Sequence, residues 1–183
     1  QTGTATPGGV DVSTSPVSPI IFPAGATTAT LNALIVPDSL DESNETFIVT
    51  LLAPSNGLLG TIAQHSLTIT DDDLPPAVAF ASSSSHLVES ASGTMVAVTL
   101  SSASSFDVTV PVTASGTALP GTDYTWTPGG MSASGSLLIP AGSTAANVVL
   151  STIIDSLVEG TETALFTLGS PVNGTLGATS SHT

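Results

Sequence analysis

Asp38-Ser39-Leu40-Asp41-Glu42, followed by Glu45-Thr46-Phe47-Ile48-Val49-Thr50-Leu51, decides the architecture, because the acidic pentapeptide returns as Asp155-Ser156-Leu157-Val158-Glu159. The offset, 155 against 38, is 117 residues. It also superimposes Ile21-Phe22-Pro23-Ala24-Gly25 on Leu138-Ile139-Pro140-Ala141-Gly142, Glu45-Thr46 on Glu162-Thr163, Asn56-Gly57 on Asn173-Gly174 and His65 on His182. Such self-similarity over one module length is the signature of tandem repeats. Near the start the offset is 113, from Gly3-Thr4-Ala5 to Gly116-Thr117-Ala118, so the second copy gained a few loop residues, which loops tolerate.

Period-2 alternation in Phe47–Leu51, Val96–Leu100 and Val108–Thr113 reads as half-buried strands, and no helical period occurs. Turn signals such as Pro23-Ala24-Gly25, Asn56-Gly57, Pro120-Gly121 and Pro128-Gly129-Gly130 recur every ~8–12 residues, the cadence of a β-sandwich of about seven strands per module. The expected boundary falls at Asp73-Leu74-Pro75-Pro76, where tandem prolines stiffen the junction. Residues 1–74 then form a module lacking its N-terminal strands, and 75–183 a module lacking its final strand. Two explanations stand side by side: the chain is a window on a longer array, or strands from neighbouring repeats or identical subunits complete its modules. It opens on Gln1 without Met and is read as a processed product or a piece of a longer protein.

The charge is one-sided. The 183 residues hold fourteen Asp and Glu but no Lys or Arg, a net charge of −14. A phosphate-binding surface needs basic side chains to release counterions, so nucleic acid is excluded as a partner, and anionic membrane surfaces likewise. Mean hydropathy of +0.44 and 40% hydrophobic residues supply material for real cores, the reverse of a disordered composition. Gly, Pro, Asn or Asp breaks every apolar run well short of the ~18 residues a membrane helix needs. Without cysteine there is no disulfide, thiolate nucleophile or Cys-based metal site. Carboxylates with no protein counter-charge repel one another unless a hard divalent cation sits among them, and Ca²⁺ is the candidate.

These residues together resemble the Calx-beta domain family. Gly116-Thr117-Ala118 with Gly121-Thr122-Asp123-Tyr124 is similar to its Gly-Thr-Ala, Gly-x-Asp-Tyr signature; Ile139-Pro140-Ala141-Gly142 is similar to its Phe-x-x-Gly turn. Asp155, Glu159 and Glu162-Thr163, and in the first copy Asp38, Glu42 and Glu45-Thr46-Phe47, match its acidic block; Leu67–Asp73 resembles its closing Asp run. The resemblance implies an all-β fold of tandem immunoglobulin-like Greek-key sandwiches, with a calcium site at one end of each. It implies ligands Asp11, Asp38, Glu42, Glu45, Asp71, Asp72 and Asp73 in the first module and Glu89, Asp123, Asp155, Glu159 and Glu162 in the second. Twelve of the fourteen acids thus fall on motif positions, leaving Asp41 and Asp107. In the first copy Gly9-Val10-Asp11-Val12 departs from the Asp-Tyr pair, and Ser39 and Ser156 stand where many members carry a second Asp.

No nucleophile elbow, phosphate loop or His beside a nucleophile supports an enzyme. The three histidines read as packed or surface residues, not a transition-metal site. The expected role is a calcium-binding structural repeat of a secreted or cell-surface adhesin, stalk or filament. The rival expectation is a calcium-sensing regulatory module of a larger membrane or signalling protein. Without Lys to guard sheet edges, those edges are expected to be covered or used for strand addition.

Overall fold

The computed structural model describes residues 2–6, 11–88, 90–156 and 160–183; Glu89 and Glu159, two expected calcium ligands, lie outside the described residues. The described chain is all β, and it divides into two compact units, Gln1–Ser39 with Ser43–Asp72, and Leu40–Glu42 with Asp73–Thr183.

The second unit contains β6 (Ala77–Phe80), β7 (Thr94–Leu100), β8 (Val108–Gly116), β9 (Tyr124–Thr127), β10 (Ser134–Ile139), β11 (Ala145–Thr152), β12 (Ala164–Leu168), β13 (Thr175–Leu176) and β14 (Ser181–His182). They form two sheets, ordered β10-β8-β12-β14 and β13-β6-β7-β11-β9. From β8 to β12 each strand lies in the opposite sheet to its predecessor, a Greek-key sandwich of immunoglobulin type. Alternation drives it: Val108, Val110, Val112 and Ala114 of β8 are buried while the residues between them are not, and Val96, Val98 and Leu100 do the same on β7. Between the layers Trp126 of β9 packs on Phe166 of β12 with ring centroids 5.3 Å apart, and Tyr124 meets the same ring edge-on at 6.1 Å. Such pairs add to area burial and tie the sheets together. His182 is packed: its Nδ1 donates to Ser82 O at 2.8 Å and its Nε2 lies 2.9 Å from Ser85 Oγ, so both ring nitrogens are used.

The first unit holds β1 (Thr2–Gly3), β2 (Val12–Ser15), β3 (Asn32–Ile35), β4 (Glu45–Thr50) and β5 (Gln64–Ile69), in a sheet ordered β1-β4-β5 and a pair β2-β3. Its registers copy those of the second unit. Gly3 opposes Phe47 as Gly116 opposes Ala164; Val12 opposes Ile35 as Tyr124 opposes Thr152; Val49 opposes His65 as Phe166 opposes His182. Its core is small, with Ala5, Val12 and Phe47 buried and Val49, Leu67 and Ile69 packed against them. Residues 17–22, which align with β10 at the repeat offset, are not a strand: β10 pairs with Val108–Thr113 of β8, whereas β1 corresponds only to Ser115-Gly116 at that strand's end. Phe22 is accordingly 59% exposed where its counterpart Ile139 is 0% exposed.

A clasp recurs in both units where the acidic segment enters its strand. Thr46 N donates to Thr4 Oγ1 and Ala5 N to Thr46 O; Thr163 N donates to Thr117 Oγ1 and Ala118 N to Thr163 O. Gly116, at φ 121°, lies so close to the Thr163 carbonyl that a Cβ would overlap it. Gly116→Ala is therefore expected to cost about 3 kcal/mol or more. Gly142→Ala, at φ 77° but in open space, should cost only about 1 kcal/mol. Urea unfolding followed by the fluorescence of Trp126, the only tryptophan, reads this unit directly, and equal losses would refute the clasp's close approach.

Candidate functional site

The clasp sets where the first carboxylates stand. Just beyond it, Asp11 and Asp123 occupy one backbone niche in their respective units. Asp11 N donates to Thr6 O, its Oδ2 accepts from Thr6 N at 2.5 Å, and its carbonyl accepts from Val36 N. Asp123 N donates to Leu119 O, its Oδ2 accepts from Leu119 N at 2.6 Å, and its carbonyl accepts from Ile153 N. The altered residues around Asp11 therefore leave the niche itself intact. In each case one carboxylate oxygen closes the loop.

In the first unit the β4–β5 pairing puts Glu45, first residue of β4, opposite Ile69, so that the chain after β5 runs back beside it. Asn44 Oδ1 accepts from Asp71 N at 3.0 Å and fixes that return. Glu45 lies within hydrogen-bonding reach of Asp11 and feels the charge of Asp38. Its Oε2 is buried with no hydrogen-bond partner. Burial first, then the charge and hydrogen bond of Asp11, then Asp38, push the Glu45 carboxyl above the usual glutamate range. Two carboxylates share such a contact only with a proton or a cation between them. An orphaned carboxylate oxygen is the donor a hard cation takes, so the chemistry of Glu45 Oε2 fits the ion implied by the sequence.

The remaining expected ligands are placed as follows. Asp71, half-buried, and Asp72, exposed, belong to the first unit, whereas Glu42 and Asp73 are grouped with the second. In the second unit Asp123 is half-buried, and Asp155 and Glu162 are exposed. Among the described residues no three acidic or histidine side chains already stand close enough to hold an ion.

Two features escaped the motif reading. Asp41, off the motif, is the one acid buried to 7% exposure among the described residues. It is spent inside the second unit, its Oδ2 accepting from Ser104 Oγ at 2.7 Å and its carbonyl from Ser105 N at 2.9 Å. Val158, its repeat counterpart, carries no carboxylate, which marks Asp41 in sequence as particular to the first copy. Tyr124 buries its hydroxyl without a partner beside Asp123, and burial, then that charge, raise its pKa. Asp107, the other acid off the motif, caps a turn by accepting from Ala141 N at 2.9 Å.

The Calx-beta domain family model matches the chain twice, over residues 1–73 and 71–182. Among solved structures the chain is similar to CBD12 from CALX1.2, at 25% identity over 78% of this chain and 55% of that one, with a TM-score of 0.45. It is similar to the Calx CBD2 domain at 24% identity over 52% and 56%, TM-score 0.43, and to the calcium binding domain CBD12 of CALX1.1 at 18% over 84% and 58%, TM-score 0.42. The chain thus spans somewhat over half the length of each. No curated protein matches it.

The Glu45 shift has a pH consequence whose sign is fixed. An acid with a raised pKa in the folded state holds its proton more tightly when folded, so its ionisation destabilises the fold, and stability returns as pH falls through the raised value. In chelator, amide protection of β4 and β5 in the first unit is expected to rise as pH falls from neutral towards the usual glutamate range. Glu45→Gln should raise protection at neutral pH and flatten that rise. Hydrogen exchange corrected for intrinsic rates checks it, and an unchanged pH response in the variant would remove Glu45 as its source.

Proposed function

The chain belongs to the Calx-beta domain family, and from that premise we propose that it is a non-catalytic, calcium-binding structural repeat of a secreted or cell-surface stalk, adhesin or filament. The observation that carries this reading is the orphaned, buried Oε2 of Glu45 beside Asp11 and Asp38, in a chain with no Lys or Arg to neutralise it. Asp11, Asp38 and Glu45 would hold the ion, with Asp71 next in line. Bound there, calcium would cancel the repulsion that raises the Glu45 pKa and would brace the loops against the strands.

The extracellular setting is supported by affinity reasoning. A few carboxylates with Ser39 interrupting the acidic block suit a site of Kd ~10⁻⁴–10⁻³ M, the range of extracellular modules, which fills only where calcium is near millimolar. At ten times Kd each filled site adds about 1.4 kcal/mol, a useful fraction of a small unit's stability. Partners of this role are calcium and neighbouring repeats or identical subunits. The exposed apolar residues of the first unit, Phe22, Leu52 and Ile62 among them, are the surface that strand addition from such a neighbour would cover.

Unfolding in EDTA, in about 2 mM Ca²⁺ and in equal Mg²⁺ at fixed ionic strength tests the proposal. The expected outcome is a calcium-specific rise in midpoint that Glu45→Gln reduces, with half-saturation at ~10⁻⁴–10⁻³ M. Identical curves in all three solutions would sink it. Half-saturation near micromolar would favour a regulatory sensor over an extracellular brace.

A further inference from the structure

The two Asn-Gly turns, Asn56-Gly57 and Asn173-Gly174, are the same turn chemically, and the structure treats them in opposite ways. Both asparagines hold the left-handed conformation, φ 61° and 56°, and each is the third residue of a Pro-x-Asn-Gly segment. Asn followed by Gly is the pair most prone to imide formation, because glycine lacks the Cβ that would shield its backbone nitrogen. What decides the rate in a folded chain is whether the turn can open and turn its carboxamide towards that nitrogen.

Asn173 is locked. Its Nδ2 donates to Asp107 O at 3.0 Å. The residues around it are stitched to the second unit, Val172 N to Thr109 O of β8 at 2.8 Å and Thr175 N to Pro76 O, just before β6, at 2.9 Å. Gly174 is packed so tightly that even a Cβ would meet Pro76 O at 3.1 Å and Val108 Cγ1 at 3.3 Å. Asn56 has none of this. Every residue from 51 to 60 is exposed, the Asn56 carboxamide has no hydrogen bond to a described residue, and a Cβ at Gly57 would meet nothing nearer than Pro54 Cγ at 3.5 Å.

We propose that Asn56 is a site of spontaneous deamidation in the folded protein, and that Asn173 is protected from it by the second unit. The Gly57 nitrogen attacks Asn56 Cγ, the Cγ–Nδ2 bond breaks, and ammonia leaves with the amide proton, closing a five-membered imide. Water then opens the ring at either carbonyl, giving Asp or isoaspartate at position 56. No oxidant or metal is needed. The product places a new carboxylate on a chain already at −14 with no basic residue to meet it. The isoaspartate form also lengthens the turn's backbone by one methylene.

The test is incubation of the full chain at about pH 8 and about 37 °C, in buffer and in about 8 M urea, with modification read at each asparagine by mass spectrometry and isoaspartate methylation. Chymotrypsin or an acid-specific protease must generate the peptides, because trypsin has no Lys or Arg to cut. In buffer, Asn56 is expected to gain one mass unit at least about tenfold faster than Asn173, and in urea the two rates should converge to within about threefold. Equal rates in buffer, no conversion of Asn56, or a tenfold gap persisting in urea would each overturn the proposal, the last because sequence and not folding would then set the difference.

Discussion

Every negative charge in this protein has to be met without a basic side chain. The carboxylates therefore sort by what meets them. Asp11 and Asp123 accept from backbone amides of their own loops, Asp107 from the amide of a turn, and Asp41 from a buried serine hydroxyl. Each is a structural use of charge, in which an N–H or O–H replaces the missing cation. Glu45 stands apart: part of its carboxylate is buried, its neighbours are also acids, and one oxygen meets nothing. That imbalance is the physical argument for the proposed ion, and it sits in the unit whose apolar core is small.

The clasp formed by Gly-Thr-Ala and Glu-Thr explains why short polar motifs mark this family as well as any hydrophobic pattern does. Threonine hydroxyls and amides cross between strands, and Gly3 and Gly116 allow a backbone approach that a Cβ would block. The clasp fixes register, register fixes which end of the sandwich the acids reach, and the next loop then drops Asp11 or Asp123 into its niche. Binding chemistry and fold specification use the same few residues. Substituting Thr4 or Thr46 would therefore disturb the surroundings of Glu45 without removing a carboxylate.

Much of the fold was legible in the residues. The alternation on β7 and β8 gave strands and their buried faces, and the repeat offset gave two modules whose pairings match residue for residue. Strand number was less legible, since among the described residues nine strands form in the second unit against five in the first. Residues 17–22 align with β10 at the repeat offset without forming a strand, because a strand needs a partner edge and the repeat pattern carries no information about whether one is paired there. The site was legible in part. The resemblance implied ligands in both units alike; the structure places the charges of Asp11 and Asp38 on Glu45, while Asp155 and Glu162 are exposed.

The sequence by itself determined that the chain is all β, that it is a tandem Calx-beta repeat, and that its acids have no protein counter-ions, because alternation, offset and charge are properties of residue order alone. Only the tertiary structure decided how each carboxylate is used: Asp41 is buried on Ser104, Glu45 is left with an unmet oxygen, and Asn173 is tied down where Asn56 is bare. These outcomes depend on which groups from distant parts of the chain arrive within hydrogen-bonding distance. Burial and partners are set by that arrival, and the same Asn-Gly pair then acquires different surroundings in the two units.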